Sequence, residues 1–137
     1  MTAAEFVERV MRMEFCAHGR SYDRGDCWAV VWLFYRDVLG IALPLYDTGY
    51  MTAGRTREDR AAVGGIVAAE KVKWLQVDTP SVGDVVLLRC GGRACHVGVM
   101  LDKARFVHIE NRNGTMVESL SSPLWSRRCE GVYRHAA

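Results

Sequence analysis

The sequence predicts an α+β domain in which N-terminal helices pack on an antiparallel sheet of about five to six strands. Helical periodicity is confined to the first half of the chain, and short β-rich runs separated by turn residues fill the second. The chain has 137 residues, 50% of them hydrophobic and 25% charged. Those values suit one domain, residues 1–137, that buries roughly two thirds of its unfolded surface.

The elements follow in order. Thr2 and Glu5 form a capping box, and Phe6, Val7, Val10 and Met11 recur at helical spacing, so a first helix is expected over residues 3–14. "CAHGRSYDRG" is polar, contains two glycines and reads as a loop. Asp26 is a favoured N-cap, Gly40 sits where a left-handed C-cap belongs and Pro44 follows, which sets a second helix at 27–39. Residues 45–56 read as a connector. Thr56 and Asp59 start a weaker helix near 57–70 that Gly64 and Gly65 loosen. Six strand-like runs come next: "KVKWLQV", "GDVVLLR", "CHVGVML", "RFVHIE", "TMVESL" and "GVYRH".

A net charge of +2 without a dense basic run argues against nucleic acid or an anionic membrane as partner. The longest near-apolar run, Cys27 to Tyr35, is far short of the roughly 20 residues of a membrane span. Glu5, Glu8, Arg9 and Arg12 interrupt the stretch where an export signal needs an apolar core, so none is expected. Five cysteines without a CxxC pair cannot form a complete disulfide framework.

Cys27 is the residue that points to chemistry. Behind the Asp26 cap it falls in the first helical turn, where unpaired N–H groups and the macrodipole favour a thiolate. A strongly activated catalytic thiol needs roughly 6 kcal/mol of such stabilisation, and a helix terminus supplies about 1 to 2. An imidazole has to provide most of the remainder. His96 and His108 lie 12 residues apart in adjacent strand-like runs. A hairpin with an odd-length loop places them on one face, directly opposed in one register. Cys27 as nucleophile, His96 as base and His108 as orienting group then form a triad. His96 is the better base because Gly98, two positions along, leaves space for a helix end or a substrate.

"DCWAVVWLFYRDVLGIALP", "GDVVLLR" and "HVGVMLDKARFVH" resemble the three signature blocks of the NlpC-type peptidoglycan cysteine peptidases. The phage-tail branch is the nearest in look, with "GR" before "DCW" and "LGI.LP" after the helix. The resemblance implies a papain-like fold, Cys27 as nucleophile, His96 as base, His108 as third member and no metal or organic cofactor. It also implies cleavage of an amide in the peptide stems of the cell wall, with phage-like tail proteins as partners and carriage on a virion tail. Two positions depart from the family. Ala29 stands where glycine is usual, and Phe15 stands where many relatives carry a tyrosine near the reacting carbonyl. The oxyanion must then lean on backbone N–H groups at Cys27 and Trp28, with the Tyr22 hydroxyl as the candidate replacement.

Arg20, Arg55, Arg57 and Arg60 are cations within reach of stem carboxylates, against the plainer reading that they solvate a face; His18 sits on the loop expected to border the cleft. Cys90, Cys95, His96 and Cys129 also admit a zinc reading, weakened by the lack of a second knuckle. Two rival functions stay open: a catalytically silent structural or wall-binding tail component, and a related thiol amidase or transferase.

Overall fold

The computed structural model describes residues 1–51 and 56–137. Helix α1 (Ala3–Val10) is capped by Thr2, whose hydroxyl accepts the Glu5 N–H at 3.1 Å. It ends four residues sooner than periodicity suggests. The chain leaves it to form strand β1 (Glu14–Phe15), which pairs in parallel with β2 (Arg24–Gly25), a two-stranded ladder the sequence did not announce. Helix α2 (Cys27–Phe34) continues into a π-helical turn (Tyr35–Leu39) that Gly40 closes at φ 69°. Together they span the expected 27–39. Helix α3 (Arg57–Lys71) carries the Thr56 cap.

The six β-rich runs all become strands: β3 (Trp74–Val77), β4 (Val85–Cys90), β5 (Arg93–Met100), β6 (Arg105–Glu110), β7 (Gly114–Ser119) and β8 (Cys129–His135). They form one antiparallel sheet in the order β3-β8-β4-β5-β6-β7. A short helix α4 (Pro123–Arg128) precedes β8. No helix among the described residues is long and apolar enough to cross a membrane.

Strand alternation gives the sheet two apolar faces. Val85, Leu87, Val97, Val99, Val107 and Ile109 pack with Phe6, Val10 and the buried face of α2 in the larger core. Val86, Leu88, Met100, Phe106 and Val132 face the other way and are covered by Trp125 of α4. The "GDV" run fastens the sheet at one end. Gly83 takes φ 89°, and the buried Asp84 accepts Arg134 at 2.9 and 2.8 Å and the Ser81 N–H at 2.7 Å.

Counted between the paired residues Met100 and Phe106, the β5–β6 connection is five residues, odd as expected, and Asp102 organises it by accepting the N–H groups of Ala104 and Arg105 at 2.8 and 2.7 Å. Its register differs from direct opposition of the histidines. Val99 pairs with Val107 and Met100 with Phe106, a slip of two residues that makes His96 and His108 diagonal neighbours on one face. Gly98 is corrected by the same geometry. A Cβ there would lie 2.8 Å from Phe106 and 3.2 Å from the His108 Cβ, so glycine makes room for the neighbouring strand and not for a helix or substrate.

Candidate active site

The site is built from the start of α2 outward. Asp26 is 1% exposed and gathers four donors. The Ala29 N–H caps the helix at 3.3 Å, the His18 N–H arrives at 3.0 Å, Arg20 Nη1 at 2.7 Å, and the Tyr50 hydroxyl completes the set. Gly25, just before, is required by space. A Cβ there would lie 2.5 Å from that of Ala29 and 2.7 Å from the Met13 sulfur. The methyl that Ala29 brings to this helix therefore fills the volume a Gly25 side chain would need.

Arg20 locks the preceding loop to the connector. Beyond Asp26 it donates to the carbonyls of Gly19, Leu45 and Tyr46 at 2.7, 2.9 and 2.8 Å and to the Tyr50 hydroxyl at 3.0 Å. This placement suits a clamp that fixes the start of α2. The His18 ring is 2.6 Å from the Tyr50 carbonyl and lies tilted against the Tyr50 ring with centroids 4.5 Å apart, which places it behind Tyr50 and outside the residues that line the Cys27 cavity. The Tyr22 hydroxyl donates to Asp37 at 2.7 Å, and its ring lies under Arg9. Tyr46 and Tyr50 supply the aromatic groups beside Cys27, and sequence reasoning passed them over because residues 45–50 carry no periodicity or motif. Their only signal was two tyrosines in an otherwise loop-like stretch.

Cys27 and Trp28 line an apolar cavity of about 80 Å³ between α2, α3 and the sheet, with Tyr46, Tyr50, Val67, Trp74, Cys95 and Val97 among its walls. Burial pushes the Cys27 thiol up to about 12, the Asp26 carboxylate adds to that, and a backbone hydrogen bond from Val97 acts the other way. The site therefore holds a neutral thiol. The N–H groups of Cys27 and Trp28 belong to the first helical turn and have no intrahelical acceptor by position.

On the far side of the strand, His96 Nε2 and His108 Nδ1 are 2.7 Å apart. Both rings are buried, and His108 lies edge-on to Trp125 with centroids 4.8 Å apart. Burial lowers His96 well below its usual value, helped by His108 and Arg128, and lowers His108 to about 4, helped by Arg128. Neutral imidazoles follow. The structure thus joins the two histidines to each other and sets the Cys27 sulfur against the Val97 backbone, one residue from His96. Among the described residues no hydrogen bond links Cys27 to either ring.

Arg57 and Arg60 line an open hollow with Gly91, Gly92, Arg93 and Ala94, while Arg55 lies outside the described residues. All five cysteines are free, and among the described residues no cluster of three potential ligands is arranged to hold a metal, which leaves the zinc reading without a geometry.

Residues 13–134 match the NlpC/P60 family. The murein DD-endopeptidase MepS/murein LD-carboxypeptidase of Escherichia coli K12 is 27% identical over 111 residues, 80% of this chain and 50% of the relative. The chain spans about half the length of the curated relatives it matches. Among solved structures, an NlpC/P60 family protein from Bacillus cereus aligns with a TM-score of 0.65 at 16% identity, covering 99% of this chain and 41% of that one. A lipoprotein-like NLP/P60 family protein from Staphylococcus aureus gives 0.62 at 20% identity, covering 96% and 39%. These likenesses establish the fold.

Proposed function

We propose that this chain, which belongs to the NlpC/P60 family, is a thiol peptidase that cleaves an amide bond in peptidoglycan stem peptides with Cys27, His96 and His108. The observation that carries the reading is the coupled histidine pair on the strand whose next residue, Val97, meets the Cys27 sulfur.

The chemistry follows from the resting protonation states. With a neutral thiol and neutral imidazoles, the proton leaves sulfur as the sulfur attacks, in general-base fashion. His96 can take it only through Nδ1, since Nε2 is engaged with His108. The competent tautomer has His96 Nε2–H donating to His108 Nδ1, which leaves the Nδ1 lone pair of His96 open and the His108 Nε2–H buried without a hydrogen-bond partner among the described residues. His108 is then a positioning residue. Because the histidine pair lies on the other face of β5, transfer requires the start of α2 to shift so that the sulfur passes the Val97 backbone and comes within bonding distance of His96 Nδ1. The Cys27 and Trp28 N–H groups are the donors for the oxyanion. His96 returns its proton to the leaving amine, and water, deprotonated by His96, releases the acyl group. The purified chain should clear a peptidoglycan suspension, with Cys27→Ala and His96→Ala slower by at least about a hundredfold. Clearing by Cys27→Ala at the unmodified rate rejects the triad.

The resting thiol and its lack of a bond to His96 favour one second reading, a wall-binding module whose chemistry is silent. Binding to peptidoglycan without release of peptide separates it from the first. We place the peptidase on the tail of a phage-like particle, on the strength of the "GR" and "LGI.LP" blocks around α2. An antibody to the chain should label purified particle tails; its absence from such particles contradicts the placement.

A further inference from the structure

We propose that the hollow formed by Arg57, Arg60 and Arg93 binds a carboxylate of the peptide substrate whose scissile amide lies at Cys27. The inference rests on the peptidase reading above and adds a recognition site to it.

Two hollows lie along α3 and β5, one at Cys27 and one at the arginines, and the helix packs on Arg93 and Ala94 at Gly64 between them. Beside Cys27 the walls are apolar, with Val63 and Val67 on α3 and Cys95 and Val97 on β5. Further along they turn basic, with Arg57 and Arg60 on the same helix and Arg93 on the same strand. From Val67 back to Arg60 is two helical turns, about 10 Å, and from Val97 back to Arg93 is four strand residues, about 13 Å. An extended peptide covers that distance in three to four residues. A substrate carbonyl at Cys27 and a carboxylate at the arginines therefore fit one short peptide.

Two glycines hold the arginines there. A Cβ on Gly64 would lie 2.8 Å from Arg93 Cδ, so the Arg93 stem runs across α3 where glycine leaves a gap. A Cβ on Gly91 would lie 3.2 Å from Arg60 Nε, so that guanidinium rests on the β4–β5 turn. Asp59 is turned inward and accepts the Met51 N–H at 2.7 Å. Among the described residues no ion pair joins Arg57 or Arg93 to a protein carboxylate. Guanidinium groups, with their forked donors, suit a planar carboxylate.

The test is calorimetric binding to the Cys27→Ala chain, which cannot turn substrate over, using a stem tetrapeptide with free carboxylates and the same peptide with its carboxylates amidated. The free peptide should bind at least about fivefold more tightly, an advantage expected of two partly exposed charge pairs. Arg57→Gln with Arg93→Gln should bind both peptides alike, and Gly64→Ala, which keeps every charge and favours the helix, should lose part of the preference by displacing Arg93. Undiminished preference in the double variant, or equal binding of both peptides by the parent, overturns the site. Arginine-dependent binding of glycerol phosphate tighter than that of the peptide overturns the carboxylate assignment. Failure of the unmodified chain to cut a peptide that binds with this preference counts against the peptidase reading alone.

Discussion

The Cys27 thiol and the imidazole of His96 are both neutral for the same reason, removal from water, and this decides how the site answers to pH. With a neutral thiol and a neutral imidazole the acid limb is set by protonation of the base, which for an ordinary histidine falls near 6.5. Here His96 lies well below that value and His108 near 4, so the base stays unprotonated into mildly acidic solution. The acid limb of kcat/KM on a stem peptide should fall below pH 6, whereas a midpoint at 6.5 or above contradicts the buried neutral pair. Sequence spacing was enough to bring out Cys27 and the parity that puts His96 and His108 on one face. The two-residue register slip escaped it, because parity fixes the face and only the turn built on Asp102 fixes the offset. The Arg20–Asp26–Tyr50 network was hidden for a related reason. Its members are far apart in sequence and meet only through the connector after α2.

At the scale of the element, the start of α2 depends on close contact among Gly25, Ala29 and Met13. The family's usual glycine two positions after the cysteine is exchanged here for Ala29, and the crowding is absorbed by Gly25. Gly25→Ala must push apart either α2 or β2, with an expected loss of about 1–3 kcal/mol in urea denaturation. Ala29→Gly in the same background should recover part of it, while an unchanged unfolding midpoint in Gly25→Ala contradicts the packing. Helix α2 was readable because Asp26 and Gly40 mark its ends. Helix α4 was not. Its six residues are too few for periodicity, and its Ser122 cap makes no side-chain hydrogen bond. The β1–β2 ladder, two residues to a strand, leaves no pattern either.

The whole molecule is a sheet with different tasks on its two faces. One carries the main core and presents α2 with its cysteine; the other holds the histidine pair under Trp125. That division ties stability to pH. His96 and His108 are neutral in the fold and become charged in the unfolded chain below about 6.5, so the unfolded state binds more protons as pH falls from 6.5 toward 4. Stability should therefore decline across that window, by up to about 3 kcal/mol from His108 alone. Thermal unfolding followed by circular dichroism should show a falling midpoint, flatter in a His96→Gln, His108→Gln double variant. A flat profile in the parent contradicts burial of the pair. The α+β class and all six strands were legible from alternation and turn residues, but which face carries which residue depends on the bulges in β4, which alternation alone does not reveal.

Mass spectrometry of the peptides released from one defined muropeptide tests the central claim most directly. The unmodified chain should yield two fragments that together exceed the substrate by one water, and Cys27→Ala should leave the muropeptide whole. An intact muropeptide after incubation with the unmodified chain at saturating binding, or the same two fragments from Cys27→Ala, would contradict the account.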